Sequence, residues 1–411
     1  MKKIFNILTL LLIVVIGLPG LAVSSKKSLD NKISSSVEEF LAEHPNLHAT
    51  YELVNESKKV IAKGANGYAF IEKSIKLKPN QTMAVASATK NIIAAAILKL
   101  EEKKLLNVSD TIDKFFPASS QVWKADDKTP SLFPKWAKTV TIHHLLTHTS
   151  GLKEYVFNIK IDPSHSHEII NRQILNFAAK NGLAFTPGAK SKYSNTGYVI
   201  LGMIIEHLTQ TNLAQHLDEV FFKPLNMKDT HMSSLQEALD YRKGLLSGYP
   251  ELYFAHWAKE HFHMKKAETG FFFVPYADGG IISTAHDISN WHYNLHHGKI
   301  LSAKSYQKMI HPHARYPILD APNRYCGYGI FIKKINDKDT LYYHAGRAAG
   351  IRSESGYLKG PNISFSIISN VMIPLNERQI KQIDLTNLEN QVDIIFFLKN
   401  IINATQPTKV N

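Results

Sequence analysis

The sequence predicts an α+β fold: an antiparallel sheet flanked by helices, with a mainly helical subdomain inserted between the two parts of the sheet. Three observations lead there. β-like apolar alternation is concentrated near the two ends of the chain, in residues 49–70 and beyond 325. The stretch from about 105 to 310 reads instead as helical patches separated by polar and Pro/Gly loops. The composition, 44% apolar and 20% charged over 411 residues, suffices for a full core and excludes disordered, collagenous and coiled-coil classes. Strands at both ends around a helical middle are the pattern of a sheet completed by distant parts of the chain.

The N-terminus is set apart. Met1-Lys2-Lys3 precedes an apolar run from Ile7 to Leu18, and Ala22-Val23-Ser24 follows. A basic start, a short apolar stretch and a small-residue exit are expected of a secretory signal peptide over residues 1–24. An uncleaved membrane anchor is the other reading, but the run is short against the ~20 apolar residues of a full span. Cleavage after Ser24 removes Lys2 and Lys3 and takes the formal charge from +13 to +11. An exported chain, periplasmic or secreted, is expected. The charge suits anionic surfaces, which makes cell-envelope contact an expectation beside the plainer reading of a solvated basic surface. The basic residues are scattered and no nucleic-acid motif is visible, so no nucleic-acid partner is expected. The single cysteine, Cys326, excludes an intramolecular disulfide framework and a multi-cysteine zinc site.

After the leader, residues 29–40 have the pattern of a short amphipathic helix. Two β-like runs follow at 49–54 and 59–62, joined at Asn55-Glu56-Ser57, and Gly64-Ala65-Asn66-Gly67 is expected to break the pattern before Tyr68-Ala69-Phe70. From 87 to 103 the period becomes helical, with Ile92, Ile93, Ala96, Ile97 and Leu100 on one face. Further helices are expected at 142–147, 166–181, 196–208 and 213–220, and 118–139 reads as a long loop. Strands are expected at 327–333, 339–344, 351–358 and 363–370, spaced as a meander, and a last apolar helix at 392–402. The sheet subdomain thus takes about 25–85 and 325–411, and the helical subdomain about 105–310.

Three short motifs carry chemistry. Ser87-Ala88-Thr89-Lys90 opens the apolar helix, and its i, i+3 spacing places hydroxyl and amine on one face. A lysine whose surroundings favour the neutral amine can take the proton of a serine hydroxyl and so make it a nucleophile. Ser87 also fits a helix cap. Tyr193-Ser194-Asn195 follows the turn Thr186-Pro187-Gly188. Its phenol can shuttle a proton once a nearby cation lowers its pKa, and its amide can orient a substrate carbonyl; the plainer reading is a turn with Asn195 capping the next helix. His344-Ala345-Gly346 ends a predicted strand, where Gly346 permits close approach of a ligand. A strand N–H beyond it could join the Ser87 N–H in an oxyanion hole; an ordinary strand-end histidine is the alternative.

In this order, S-x-x-K, Y-x-N and H-x-G resemble the three motifs of the serine β-lactamase and penicillin-binding-protein family, in the class C-like branch that also holds D,D-peptidases and carboxylesterases. Further blocks are similar to that branch: residues 140–152 (V-T-I-H-H-L-L-T-H-T-S-G-L), Phe185-Thr186-Pro187-Gly188, residues 193–198, residues 224–230 (P-L-N-M-K-D-T) and residues 279–285 (G-G-I-I-S-T-A). The resemblance implies a β-lactamase/transpeptidase-like fold. It makes Ser87 the acylated nucleophile, Lys90 and Tyr193 the proton network, and Asn195 the binder of the substrate amide. The N–H groups of Ser87 and Arg347 would hold the oxyanion, and His344 and Gly346 would line the cleft opposite. His148 and Ser150 would be structural.

The third motif departs from the penicillin-recognising members, which usually carry lysine at the position of His344 and a hydroxyl residue at that of Ala345. That favours an esterase or D,D-peptidase-like enzyme over an efficient β-lactamase, although Arg347 and Arg352 could supply positive charge. The expectation is therefore an exported serine hydrolase forming an acyl-enzyme on a small-molecule ester, peptide or β-lactam-like substrate, with no cofactor and no metal. The alternative is a penicillin- or cell-wall-peptide-binding or sensing protein with little turnover. No G-x-S-x-G elbow, H-E-x-x-H or dinucleotide glycine pattern occurs. The pairs His165/His167, His261/His263 and His311/His313 lack evident carboxylate partners and read as solvated loop histidines, and Phe271-Phe272-Phe273 as a core segment. No oligomeric state is read from the sequence.

Overall fold

The computed structural model describes residues 19–370 except 44–46, 71–72, 127, 157, 160, 163, 238–275, 317–322 and 349–350, with backbone alone for 19–28 and Ala348. The apolar leader up to Leu18, His261/His263, Phe271-Phe272-Phe273 and the expected helix at 392–402 lie outside the described residues. None of the described helices is long and apolar enough to cross a membrane.

The chain begins with helix α1 (Pro19–Glu43), longer at its start than the expected 29–40. Strands β1 (Ala49–Val54), β2 (Val60–Asn66), β3 (Tyr68–Phe70), β4 (Ile75–Lys76) and β5 (Met83–Ala84) follow. A 3-10 turn at Ala86–Ala88 then leads into helix α2 (Thr89–Glu102). The middle holds α3 (Ile112–Phe115), α4 (Ile142–Leu146), α5 (His167–Asn181), α6 (Asn195–Thr209) and α7 (Leu213–Leu217). Next come β6 (His231–Met232), β7 (Ile281–Ser283), α8 (Ala285–His296) and α9 (Ala303–Ile310). The last strands are β8 (Ala314–Arg315), β9 (Arg324–Cys326), β10 (Phe331–Lys334), β11 (Thr340–Ala348), β12 (Ile351–Leu358) and β13 (Ile363–Ser369).

Eight strands form one antiparallel sheet in the order β2-β1-β13-β12-β11-β10-β9-β8. The two ends of the chain meet where β1 pairs with β13, from Ala49 opposite Ser369 to Val54 opposite Ser364. β13 shows why this sheet is covered on both faces. Ile363, Phe365 and Ile367 point into the apolar cluster that includes Ile33, Val37 and Phe40 of α1, while Ser364 and Ser366 point the other way. All seven residues of β13 are buried. Small serines on that second face leave room for α8, which lies against β1, β12 and β13. Glu52 of β1 accepts hydrogen bonds from His286 Nδ1 (2.8 Å) and Ser289 Oγ (2.7 Å) of α8, and His292 Nε2 meets Ser355 Oγ at 3.0 Å.

Several elements depart from the expected boundaries: the strand expected at 327–333 runs Phe331–Lys334, and the helix expected at 213–220 is α-helical only over Leu213–Leu217. Two further departures have a visible packing cause. The strand β2 runs through Gly64 to Asn66 rather than breaking at Gly64, because the Tyr51 ring of β1 covers that position: a Cβ on Gly64 would lie 2.5 Å from the Tyr51 hydroxyl. The turn falls at Gly67, with φ +78°. The loop-like 118–139 contains 3-10 turns at Gln121–Trp123 and Lys135–Lys138, held together by edge-on packing of Trp123 against Trp136 at 5.9 Å and Phe133 at 5.4 Å.

Helix α2 is the central helix. Ile92 to Leu98 are buried without interruption, so it is apolar all round, as a helix enclosed by protein must be. Asn91 ties it to its surroundings, donating to Gly329 O (3.1 Å) and accepting from Trp291 Nε1 of α8 (2.7 Å).

Candidate active site

Ser87 sits in the 3-10 turn ahead of α2, not within the helix, which begins at Thr89. It makes no side-chain cap there, so its hydroxyl is left for other partners. The turn is held under strain. Ala86 has φ +47°, a conformation costing a non-glycine residue on the order of 1–3 kcal/mol that persists only where surroundings enforce it. Those surroundings are explicit. Val85 N donates to Ile281 O (3.0 Å), Ile281 N donates to Thr89 Oγ1 (3.1 Å), and Ser353 Oγ of β12 donates to Val85 O (2.6 Å).

Gly346 completes the clamp. A Cβ there would lie 2.0 Å from Val85 O and 2.5 Å from Ser353 Oγ. The close approach expected at Gly346 is therefore made by the chain's own backbone, and it seats the Ser87 turn on β11.

Lys90, one turn along, is fully buried. Its Nζ donates to Ser87 Oγ (3.0 Å), to Asn195 Oδ1 (2.8 Å) and to the main-chain carbonyl of Asp278. Burial pulls its pKa down to about 8, against the opposing pull of the Asp278 and Glu154 carboxylates.

Asn195 is free to meet Lys90 because Ser194 takes the cap of α6, its side chain accepting from Gly197 N (3.1 Å). The expectation that Asn195 itself might cap the helix is corrected accordingly. Glu154 Oε2 accepts from Asn195 N (2.7 Å) and fixes the residue from behind.

Tyr193 presents its ring to the same amine, with Lys90 Nζ 5.0 Å from the ring centroid. His148 stacks on the ring at 4.4 Å and accepts from Ser194 N at Nδ1 (3.1 Å), so its proton is on Nε2. Burial pushes the Tyr193 phenol well above its ordinary value, although a hydrogen bond with Ser87 works the other way. The expected lowering by a nearby cation is thus overturned: desolvation dominates, the Asp278 and Glu154 carboxylates add to it, and the phenol stays protonated near neutrality. Ser87, Tyr193 and Asn195 are only partly buried, whereas Lys90 is sealed behind them.

His344 lies on β11 opposite Ser355, 1% exposed, stacked on Phe331 at 4.6 Å and 6.5 Å from the Tyr193 ring. It packs behind the phenol rather than lining an open wall. Its Nδ1 donates to Ala345 O (2.7 Å), and burial takes its pKa down to about 3, so the ring is neutral. Arg347 is exposed on β11, paired in register with Arg352, whose side chain bonds Glu354 at 2.8 Å.

No sequence signal pointed to Asp278, Glu154 or Tyr155. Their contacts with the Lys90 and Asn195 machinery span 188 residues in one case and 41 in another, beyond any local spacing rule. Among the described residues no group of three or more His, Cys, Asp or Glu is placed to hold a metal ion.

An α+β fold with serine, lysine and tyrosine gathered at the start of a buried central helix defines the β-lactamase/transpeptidase-like class. The comparisons agree. The Beta-lactamase family model matches residues 37–387, and the chain belongs to that family. Penicillin-binding protein 4* of Bacillus subtilis is 34% identical over 185 residues, which is 44% of this chain and 37% of that protein. Protein flp of Staphylococcus aureus strain MW2 is 28% identical over 196 residues, 46% of this chain and 36% of that one. The matched stretch thus spans little more than a third of these curated relatives. Among solved structures, D-amino acid amidase from Ochrobactrum anthropi SV3 superposes with a TM-score of 0.67 at 22% identity, covering 92% of this chain and 98% of that one. The penicillin binding protein from Bacillus halodurans gives 0.62 at 21% identity, covering 84% and 97%.

Proposed function

We propose that the protein is a serine hydrolase that acylates Ser87 with an ester or amide substrate and then releases the acyl group to water. The observation that carries this reading is the environment of Lys90. Asn195 Oδ1 and the Asp278 carbonyl accept two of its N–H groups, and the third tetrahedral direction meets Ser87 Oγ. In the neutral amine that third position is a lone pair aimed at the serine proton, and a pKa of about 8 makes the neutral form accessible near neutrality.

Ser87 Oγ then attacks the carbonyl carbon as its proton passes to Lys90 Nζ. The N–H groups of Ser87 and Arg347 receive the oxyanion, a donor pair typically worth ~3 kcal/mol of barrier per hydrogen bond. Tyr193, protonated and hydrogen-bonded to Ser87, delivers a proton to the departing alcohol or amine and is recharged from Lys90. Asn195 has its Oδ1 engaged by Lys90, which leaves Nδ2 for the acyl carbonyl. Water repeats the sequence in reverse and frees Ser87.

Esters and amides of the D,D-peptidase and amidase kind are favoured over β-lactams. The neutral, buried His344 offers no cation for a β-lactam carboxylate where penicillin-recognising relatives carry lysine. The basic, apolar leader supports export to the periplasm or outside the cell, and the formal charge of +11 left after its cleavage supports contact with the anionic envelope there. A sensing protein that acylates without turnover is the competing reading; a pure binder has no use for a sealed Lys90 amine.

A panel of short-chain nitrophenyl esters, D-amino-acid amides, D-alanyl peptides and nitrocefin, run against Ser87→Ala, tests this. Steady turnover of an ester or amide, lost in the variant, is expected. A single burst without turnover would favour the sensor, and turnover unchanged in Ser87→Ala would refute the assignment.

A further inference from the structure

Asp278 stands immediately before Gly279-Gly280 and strand β7, 1% exposed. Its main-chain carbonyl accepts from Lys90 Nζ. Its carboxylate is held separately: Tyr155 Oη donates to Oδ2 at 2.8 Å, while Oδ1 is buried with no hydrogen-bond partner. Tyr155 is fixed in turn, its N–H donating to Thr196 Oγ1 (3.1 Å) in the first turn of α6, beside Asn195. A buried carboxylate satisfied on one oxygen only is costly, and a neighbouring ammonium is the natural source of compensation.

The groups around Lys90 come from every element packed on it. Ser87 lies on its own turn, Tyr193 and Asn195 on the loop and start of α6, and Tyr198 further along α6. His148 follows α4 and His344 lies on β11; burial keeps both neutral, His148 well below its ordinary value. Tyr155 and Tyr276 face Asp278 as protonated phenols. That leaves Glu154 and Asp278 as the acids that act on the amine. Glu154 is committed by two backbone hydrogen bonds, from Asn195 N (2.7 Å) and Val156 N (3.1 Å), and is partly exposed.

We propose that Asp278 is a positioning residue for Lys90, its carbonyl orienting the amine and its Tyr155-held carboxylate keeping that amine charged at rest, so that Ser87 becomes reactive toward the alkaline side. The inference deepens the serine-hydrolase reading and rests on it. In this account the Asp278 carboxylate makes no hydrogen bond to Lys90 or Ser87 and acts on the reaction only through the amine. It sets the pH at which Lys90 sheds its proton, and thereby the pH at which Ser87 can be acylated.

The test uses the full chain and its Asp278→Asn and Tyr155→Phe variants, with folding followed by near-UV circular dichroism. Two quantities are read: the pH dependence of Ser87 acylation by a fluorophosphonate, and the titration of Lys90 by NMR of its side-chain carbon and nitrogen. Asp278→Asn is expected to move both midpoints to lower pH together by about one unit, giving acylation about tenfold faster on the acidic limb with the alkaline plateau kept. Tyr155→Phe, which leaves the carboxylate less stable as an anion, is expected to move both the same way by a smaller amount, and decides the matter if Asp278→Asn does not fold. Unchanged Lys90 midpoints in a folded variant would overturn the proposal. Failure of wild-type Ser87 to react would overturn the hydrolase reading instead, and the Lys90 titration would still decide the role of Asp278.

Discussion

The Cβ position of Gly346 lies 2.0 Å from the carbonyl oxygen of Val85, so β11 and the strained turn that presents Ser87 touch backbone to backbone. Ser353 Oγ bonds the same oxygen from the next strand, at 2.6 Å. The third motif acts here first as a seat for the first.

That contact makes Gly346→Ala informative. The added methyl meets main chain, which cannot rotate away, so the turn must lift. Overpacking of this kind costs about 1–3 kcal/mol. Urea denaturation is expected to show that loss, and acylation of Ser87 by a fluorophosphonate to fall at least tenfold in the folded fraction. Acylation at the wild-type rate would mean that the turn does not depend on this seat.

Lys90 as base predicts a definite pH dependence. The amine is active when neutral, so acylation is expected to rise with pH through about 8 and then level off. Lys90→Met is expected to lose on the order of 10²–10⁴ in acylation rate, the usual contribution of a positioned base. Stopped-flow measurement of the acylation burst between pH 5.5 and 10, chosen as a window of about two units or more around that value, reads both. A flat profile would place the proton elsewhere.

Buried histidines predict acid lability. His292 and His344 are held down to about 3 by burial, and His143 to about 4 by burial with His313, His144 and Lys308 adding to it. A histidine whose folded value is depressed binds its proton more readily once unfolded. Its contribution to stability is therefore present above about 6.5 and is lost progressively as pH falls toward the folded value. The urea midpoint is expected to drop between pH 6.5 and 4, and His292→Gln to flatten that drop. Equal slopes in variant and wild type would remove His292 from the account.

The parts of this molecule legible in sequence are those fixed by local spacing. The strand expected at 351–358 is β12, buried along its whole length and paired with β11 and β13 without a shift of register. The three-residue step from Ser87 to Lys90 is enough to join hydroxyl and amine whether the serine sits in an α-helical or a 3-10 turn. Where two neighbours could fill one role, spacing was not decisive: Ser194 rather than Asn195 caps α6, and only the Lys90 contact shows why. Glycines misled because their reason lies across the fold, Gly64 under Tyr51 and Gly346 under Val85. The electrostatics were legible only in part: the apolar helix pointed to a desolvated Lys90, but not to the acids beside it. Whether Tyr193 or Lys90 yields its proton near neutrality depends on burial and on Asp278 and Glu154, which arrive from remote loops.

The central claim is that Ser87 is the group that becomes acylated. Intact-mass analysis of the folded protein treated with a fluorophosphonate, followed by peptide mapping, tests it most directly. One adduct is expected, located on Ser87 and missing from Ser87→Ala. An adduct on another residue, or none from any acylating probe on a folded sample, would contradict the account.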